Sequence, residues 1–458
     1  MKRTCATLVL LLSALPLAAQ TKYVVNDLGT LGGDSPAVMA INNAGQVAGY
    51  GNLVSGGPNH AFRSSPNSPI NPATDDLGLL GGVGSSATGI NNLGQVAATV
   101  HMASGPTYAV LIAPDGTYQN LGDMGGAFRG SNANAINDSG QLTGSSWATV
   151  SCGSSHAFLT APNSALNASD DLGTLRAGNC GNSVGLAINN SGQVAGWSAV
   201  QVNLKIVQHA AMWTPGTGIT DLGVLGGDPT IAFFGVTATA NGINSAGQVV
   251  GSSSFNHDSS IPASDTHAFL TTAAGPMQDI GTLGGDGANA FGINNLGQVV
   301  GDSTVTNNTA LHGFLYDSGT GVMTDLNTAI VSPGYEVISA KVINDKGQIV
   351  ACARLTASDP PFGCTHSVRL DPPPAASSAL VAELSSASLG LTSGQISSLT
   401  DKLNNAILSI QQGLNGQAIN QLSAFINSVQ SSVKTGKITT QAGAALTSAA
   451  QAIIATLS

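Results

Sequence analysis

Positive charge is scarce in this sequence: Lys and Arg number 14 against 24 Asp and Glu over 458 residues, and 8% of the chain is charged. So few cations cannot neutralise a phosphate backbone, which excludes nucleic acid as a partner. Glutamate is almost missing, with Glu336 and Glu383 alone, whereas glycoside hydrolysis needs two carboxylates set several ångströms apart. Asp123, Asp258, Asp265 and Asp302 lie outside any repeated pattern and are the remaining carboxylates that could meet on one face. Cysteine pairs two to four residues apart, the spacing of a zinc thiolate site, are absent. His101 and His257 have no neighbouring Ser and Asp in a recognisable nucleophile motif. The turn Asn344-Asp345-Lys346-Gly347 lacks the Glu and alternating Asp of an EF-hand, and Gly32-Gly33 lacks the Lys and helix of a phosphate loop. No cofactor or metal is expected. Hydrophobic residues at 42% suffice for a core, and low charge argues against disorder.

Long apolar runs are also missing beyond the first residues. Lys2 and Arg3 precede the run Ala6 to Leu17, which closes with Ala18, Ala19 and Gln20. This is the pattern of an export signal over residues 1–20, and the run is too short to span a bilayer. An exported protein is expected, extracellular, at the cell surface or periplasmic, with no membrane span after cleavage. Cys152, Cys180, Cys352 and Cys364 then remain, an even number in an oxidising compartment. Of three connectivities, short loops within one repeat favour Cys152–Cys180 and Cys352–Cys364.

What the chain does have is a repeat. Ile-Asn-x-x-Gly-Gln occurs seven times, 46 to 55 residues apart, with Asn and Gly at Asn42/Gly45, Asn91/Gly94, Asn137/Gly140, Asn189/Gly192, Asn244/Gly247, Asn294/Gly297 and Asn344/Gly347. Asn opens a tight hairpin turn, and Gly takes the φ > 0 backbone that would strain a side chain. Ahead of each turn stands Asp-Leu-Gly or a variant, at Asp27, Asp76, Asn120, Asp171, Asp221, Asp279 and Asp325. Behind it stands a His strand, His-Ala-Phe in full form, at His60, His156, His209, His267, His312 and His366, with Tyr108 replacing His in copy two. A residue recurring once per repeat serves the repeat, so these His are read as bridging neighbouring strands with the recurring Asp as partner. Four short strands per ~50 residues is the arithmetic of a propeller blade. Seven copies predict a seven-bladed β-propeller over 21–370, closed by pairing of the entering strand, Tyr23 to Leu28, with the leaving strand, His366 to Leu370. An open superhelical stack is the alternative, and it leaves bare sheet edges.

Asp27 to Gly33, Ile293 to Gly301 and the His-Ala-Phe-Leu segments together resemble the HAF repeats of bacterial extracellular proteins, over roughly residues 22 to 370. The resemblance implies location and carries no reaction. Copies four and seven lack the Gly-Gly pair.

Asp371-Pro372-Pro373-Pro374 starts a stiff linker, 371–378, and the period then turns helical. Stripes at Ile396, Leu399, Leu403, Ile407 and Ile410, at Ile419, Leu422, Phe425, Ile426, Val429 and Val433, and at Leu446, Ala449, Ala450, Ile453 and Ile454 predict a small all-α bundle over 379–458, with a further short helix near Ser378 to Ser386. The order of Leu403, Ala406, Gly413, Ala418, Leu422, Phe425, Val429, Gly436, Lys437, Ile438, Leu446, Ala449 and Ile453 resembles the FIMAH module of bacterial secreted proteins.

The function expected is non-catalytic binding or adhesion at a propeller face, the ligand being neutral carbohydrate or protein. A polysaccharide-acting hydrolase or lyase and a structural matrix component are the alternatives. Phe233-Phe234 is a candidate aromatic contact for sugar, against a buried strand.

Overall fold

The Asn-x-x-Gly turn closes a hairpin in every repeat. In a computed structural model of the chain, which describes residues 23–457 apart from 35, 151, 203–204, 226–236, 256–264, 273–275, 333, 357, 360–362, 373–392 and 412–413, the turn glycines Gly45, Gly94, Gly140, Gly192, Gly247, Gly297 and Gly347 all have φ of 75–78°. Each Gly N–H donates to the Asn carbonyl, and each Asn N–H to the Gln carbonyl, as in Gly45 to Asn42 and Asn42 to Gln46. Phe233-Phe234, His257, Asp258, the signal segment and the short helix near Ser378 lie outside the described residues, as does most of the linker.

The hairpins assemble into seven sheets, the blades of a β-propeller. Strand β1 (Val24–Asp27) enters first and belongs to the last blade. Blade 1 holds β2 (Ala37–Ile41), β3 (Val47–Asn52) and β4 (Asn59–Arg63), and blade 2 holds β5 (Gly84–Ile90), β6 (Val96–His101), β7 (Thr107–Ile112) and β8 (Tyr118–Asn120). Blade 3 is β9 (Ser131–Ile136), β10 (Leu142–Trp147) and β11 (Ser155–Leu159); blade 4 is β12 (Ser183–Ile188), β13 (Val194–Val202), β14 (Lys205–Thr214) and β15 (Gly218–Gly223). Blade 5 is β16 (Ala238–Ile243), β17 (Val249–Phe255), β18 (Asp265–Thr271) and β19 (Met277–Asp279); blade 6 is β20 (Gly284–Ile293), β21 (Gln298–Val305), β22 (Leu311–Asp317) and β23 (Val322–Asp325). Blade 7 is β24 (Tyr335–Ile343), β25 (Ile349–Leu355) and β26 (His366–Asp371), and β1 pairs with β26 as its fourth strand.

Blades 1 and 3 depart from the four-strand expectation: their outer strand shrinks to a single bridge, Phe62 with Asp76 and Phe158 with Asp171. The connection in copy one carries Pro66, Pro69 and Pro72, which have no N–H for a ladder. In copy three, Asn167 caps a 3-10 turn, Ala168–Asp170, that occupies the approach to Asp171.

Apolar residues fill the spaces between neighbouring sheets. Phe62, Phe158, Phe269 and Phe314 of the His strands are fully buried, and the cluster of Ala48, Ala61, Ala87, Ala98 and Val110 spans blades 1 and 2. Small residues let sheets approach closely: a Cβ on Gly313 of blade 6 would meet Val337 Cγ1 of blade 7 at 2.8 Å.

The propeller occupies Val25–Asp371. The second unit holds three helices, α2 (Ser393–Gln411), α3 (Asn415–Lys434) and α4 (Thr440–Leu457); the single turn α1 (Leu326–Ala329) belongs to the propeller. The three long helices pack the stripes named above around Leu403, Leu422, Phe425, Val429 and Leu446, all fully buried. Gly436, at φ 69°, ends α3 with its N–H on the Val433 carbonyl, a left-handed C-terminal cap. Among the described residues no helix is long and apolar enough to cross a membrane.

Candidate functional site: the two ends of the propeller channel

The recurring His and Asp meet, blade after blade. Nδ1 of His60, His156, His209, His267, His312 and His366 lies 2.6–3.0 Å from a carboxylate oxygen of Asp76, Asp171, Asp221, Asp279, Asp325 and Asp27. The same carboxylates accept the backbone N–H two residues on, as Asp76 does from Gly78 and Asp27 from Gly29, and those Gly have φ of 76° and 70°. Each Asp therefore ends a strand, fixes the Asp-Leu-Gly turn and holds the His strand in register. In copy two Asn120 keeps the turn bond to Gly122, while Tyr108 stands in the His slot.

Asn of the first motif does more than open a turn. Its Oδ1 accepts two backbone N–H groups inside the turn, Ala44 and Gln46 for Asn42. Its Nδ2 donates to the main-chain carbonyl of the equivalent Asn in the next blade. The series runs Asn42 to Asn91, Asn91 to Asn137, Asn137 to Asn189, Asn189 to Asn244, Asn244 to Asn294, Asn294 to Asn344 and Asn344 back to Asn42, at 2.9–3.2 Å. Seven side chains form a closed hydrogen-bonded ring about the channel. All seven are at least 94% buried, so each bond satisfies polar groups largely withdrawn from bulk solvent.

The following residue in each copy builds a second ring: Asn43, Asn92, Asp138, Asn190, Ser245, Asn295 and Asp345. Backbone N–H groups of Asn43, Asn92, Asp138, Ser245, Asn295 and Asp345 each donate to the next member's side-chain oxygen, at 2.8–3.0 Å. The link from Asn190 to Ser245 is missing, because the Ser side chain is too short to reach. Asp138 accepts from Asn92 and Asn190 Nδ2, and Asp345 from Asn43 and Asn295 Nδ2, at 2.9–3.0 Å. Burial alone would raise the Asp138 carboxyl, but the bonds from Asn92 and Asn190 outweigh it and hold its pKa below 3.8. The two rings and the preceding Ile residues line a cavity of about 180 Å³, room for about six waters at ~30 Å³ each or for one small polar group. Carboxamide donors flank each of its two carboxylates, Asp138 and Asp345.

The two halves of the repeated motif thus part company. The asparagines reach the channel, whereas their partner glycines, Gly45, Gly94, Gly140, Gly192, Gly247, Gly297 and Gly347, line neither this cavity nor the one described next. Their part is the turn itself, and in several copies the turn packs against a neighbouring segment. A Cβ on Gly140 would overlap the Asn163 carboxamide, and one on Gly297 the Ser318 hydroxyl.

Three residues before each ring asparagine the repeat breaks. Every inner strand carries a bulge two residues before its Ile, at Met39, Thr88, Asn134, Leu186, Asn241, Phe291 and Lys341. The first six are uncharged and the seventh is a lysine. Lys341 Nζ sits 4.3 Å from the Phe291 ring centre and 4.0 Å from Asp302 Oδ2. Asp302 is buried and also accepts from Asn289 Nδ2 at 3.0 Å and Ser339 Oγ at 2.7 Å. Burial lowers the Lys341 pKa below 10.5, against the opposing pull of Asp302. A second cavity of about 490 Å³ opens here, between blades 7 and 1, lined by Pro36, Ala37, Val38, Met39, Phe291, Lys341, Val350, Ala351, Ser367 and both cysteines of Cys352–Cys364.

The disulfides join Cys152 to Cys180 and Cys352 to Cys364. Of the non-repeated carboxylates that could meet on one face, Asp123 pairs with Arg129, Asp302 lies on β21 of blade 6 and Asp265 on β18 of blade 5. Glu336 binds Arg354 and stands 3.8 Å from His312 Nε2. Among the described residues no group of three or more His, Cys, Asp or Glu could hold a metal ion. Sequence reasoning read Asn42 and its equivalents as turn formers and missed both the ring and the bulge. The signal was available: aligning copies on their Ile exposes Lys341 as the charged member of an otherwise uncharged column.

Comparison with known proteins adds one assignment. Residues 378–455 match the FIMAH domain. The FIMAH segment thus covers the three-helix unit, and it leaves the propeller unassigned. No curated protein matches the chain. Among solved structures, the β-propeller domain of the Trilobed protease from Pyrococcus furiosus aligns over 74% of this chain and 95% of its own, at 8% identity and a TM-score of 0.45. The BP39L lectin from Burkholderia pseudomallei aligns over 76% and 99%, at 12% identity and a TM-score of 0.35. XC5397 from Xanthomonas campestris, a gluconolactonase, aligns over 63% and 86%, at 13% identity and a TM-score of 0.32.

Proposed function

We propose that the chain is an exported, non-catalytic binding protein whose propeller takes a neutral, hydroxyl-rich ligand, a carbohydrate, at the asparagine-lined channel mouth. The observation that carries this reading is the second ring, where Asn43, Asn92, Asn190 and Asn295 each spend one Nδ2 hydrogen on the fold or on a neighbour and keep another for a ligand. Asp138 and Asp345 supply acceptors between them. A rim that carries four carboxamides and two carboxylates suits hydroxyl groups, each of which donates and accepts. The six His–Asp pairs support the non-catalytic reading, since each carboxylate already holds a turn and a strand. Export rests on the Ala6 to Leu17 segment, the two disulfides and the likeness to HAF repeats.

The test is binding of the full chain, disulfides formed, to a panel of bacterial and plant polysaccharides by calorimetry, beside Ser245→Trp. Ser245 is exposed and its side chain makes no ring bond, so the indole blocks the mouth without breaking the ring. Saturable binding lost in Ser245→Trp supports the reading. Binding that survives the substitution, or no binding by the wild type, overturns it. Shortening of a bound glycan would instead move the assignment to a hydrolase or lyase.

A further inference from the structure

In a protein of seven similar repeats, whatever the fold requires recurs in every copy. Departures that gather in one place therefore call for another explanation. Three of them gather around blade 7, where it meets its neighbours, blades 6 and 1. Lys341 is the charged residue among seven bulge positions. Asp302 and Cys352 occupy equivalent places on β21 and β25, where the other copies have Tyr50, Thr99, Ser145, Trp197 and Ser252. Cys352 is bonded to Cys364, and that bridge forms part of the wall of the 490 Å³ cavity.

The cavity has the size of a small-molecule site, which runs ~300–1,000 Å³, and its wall is mostly apolar. Lys341 is the ionisable group that lines it; Asp302 stands behind, 4.0 Å from Nζ and engaged by Asn289 and Ser339. At that distance the carboxylate steadies the ammonium electrostatically without taking a hydrogen bond from it. Among the described residues Nζ donates no hydrogen bond, so its three N–H groups remain for something else. An ammonium with an aromatic face beside it, at the edge of an apolar chamber, is complementary to a molecule with an apolar body and one negative end.

We infer that this cavity is a binding site for a small organic acid, its carboxylate on Lys341 and its apolar body against Met39, Phe291 and the Cys352–Cys364 bridge. The site is distinct from the asparagine-lined mouth and does not depend on carbohydrate binding there.

The experiment uses the full chain with disulfides formed and anilinonaphthalene sulfonate, an aromatic body with one anionic group, as a fluorescent probe. Octanoate and the uncharged octanol serve as competitors. The expected result is saturable probe binding, displaced by octanoate at concentrations about tenfold below those of octanol, the margin of one charge-assisted hydrogen bond. Lys341→Met, which keeps an unbranched side chain and loses the charge, weakens probe and octanoate binding about tenfold and leaves octanol unaffected. Met39→Trp, at a position 45% exposed to the channel, fills the chamber and abolishes all three. Ser245→Trp changes none of them, which separates this site from the other mouth. No binding by the wild type, equal displacement by octanol and octanoate, or unaltered affinity in a folded Lys341→Met overturns the inference. Should Lys341→Met not fold, the octanoate and octanol comparison on the wild type and Met39→Trp still decide it.

Discussion

Asn344 Nδ2 donates to the main-chain carbonyl of Asn42, 302 residues earlier in the chain, at 2.9 Å. That bond closes a ring whose other six members join consecutive blades. Because Asn344 also donates to Gln348 Oε1 and accepts from the N–H groups of Lys346 and Gln348, truncation strands several buried groups at once. Asn344→Ala should therefore cost about 2–3 kcal/mol, read from the urea midpoint. A loss under 0.5 kcal/mol, about the size of a neutral surface substitution, would show that the ring is ornamental. Asn137→Ala, at the opposite side of the ring, should cost a similar amount, since its bonds are the same in kind.

Closure is made a second time at the rim. β1 pairs with β26, Leu28 N–H donates to the Ser367 carbonyl at 3.0 Å, and Asp27 receives His366 Nδ1 and the Tyr335 hydroxyl. Deleting residues 23–28 exposes the edge of β26 in a sheet that would then lack its fourth strand. The truncated protein should unfold at a lower urea midpoint and self-associate at micromolar concentration, seen by light scattering. Monomeric behaviour with an unchanged midpoint would mean that blade 7 does not need the entering strand.

The two disulfides allow a quantitative comparison. Cys152–Cys180 closes a separation of 28 residues and Cys352–Cys364 one of 12. Loop-closure entropy assigns the longer loop about 0.7 kcal/mol more stabilisation. Replacing each pair by Ala and measuring both midpoints checks the difference. The reverse order would place the larger contribution in local contacts of the shorter bridge.

Asp138 gives a pH signature. Burial raises its folded-state pKa and the Asn92 and Asn190 bonds lower it by more, so the value lies below 3.8. The carboxylate therefore stabilises the fold at pH above the unfolded value and loses that contribution as pH falls through the folded value. Asp138→Asn turns an acceptor facing two Nδ2 donors into a group that is itself partly a donor. The variant should be less stable than the wild type at pH 7, and the gap should narrow below pH ~3.8, near the unfolded carboxylate value. Urea titrations at pH 7 and pH 3 read both quantities. A gap independent of pH would assign the loss to packing instead of charge.

Much of this architecture is legible in the sequence because the repeat is written in backbone chemistry. A turn needing φ > 0 demands Gly45 and its six equivalents, and the Asp that caps its own strand end is followed two residues on by a positive-φ Gly in copies such as Asp27–Gly29 and Asp76–Gly78. Those demands recur, so period, blade number and closing strand can be counted. The Asn ring was hidden because its bonds join residues 46 to 55 apart, and 302 apart at the closure, so they exist only once the blades lie side by side. The outer strands of blades 1 and 3 were overstated because strand propensity there yields to Pro66, Pro69 and Pro72 and to the Asn167 cap. The Lys341 cavity was the least legible part. It depends on a bulge, which shifts side chains by one residue and defeats simple alternation.

The bulge also governs reactivity. Burial lowers the Lys341 pKa below 10.5, with Asp302 opposing the shift, so at pH 8 a larger fraction of this amine is neutral and nucleophilic than of an ordinary surface lysine. Its side chain is 44% exposed, which leaves Nζ open to a small reagent. Acetylation with a substoichiometric N-hydroxysuccinimide ester at pH 8, followed by peptide mass spectrometry, should therefore modify Lys341 ahead of Lys346, five residues further along the same hairpin. Prior addition of octanoate should suppress the Lys341 product and leave Lys346 unchanged, because the acid would hold the amine protonated and shield it. Equal labelling of the two lysines would show that the reagent does not meet a desolvated amine at this bulge. Preferential labelling that octanoate fails to suppress would keep the lowered pKa and remove the organic acid from Nζ.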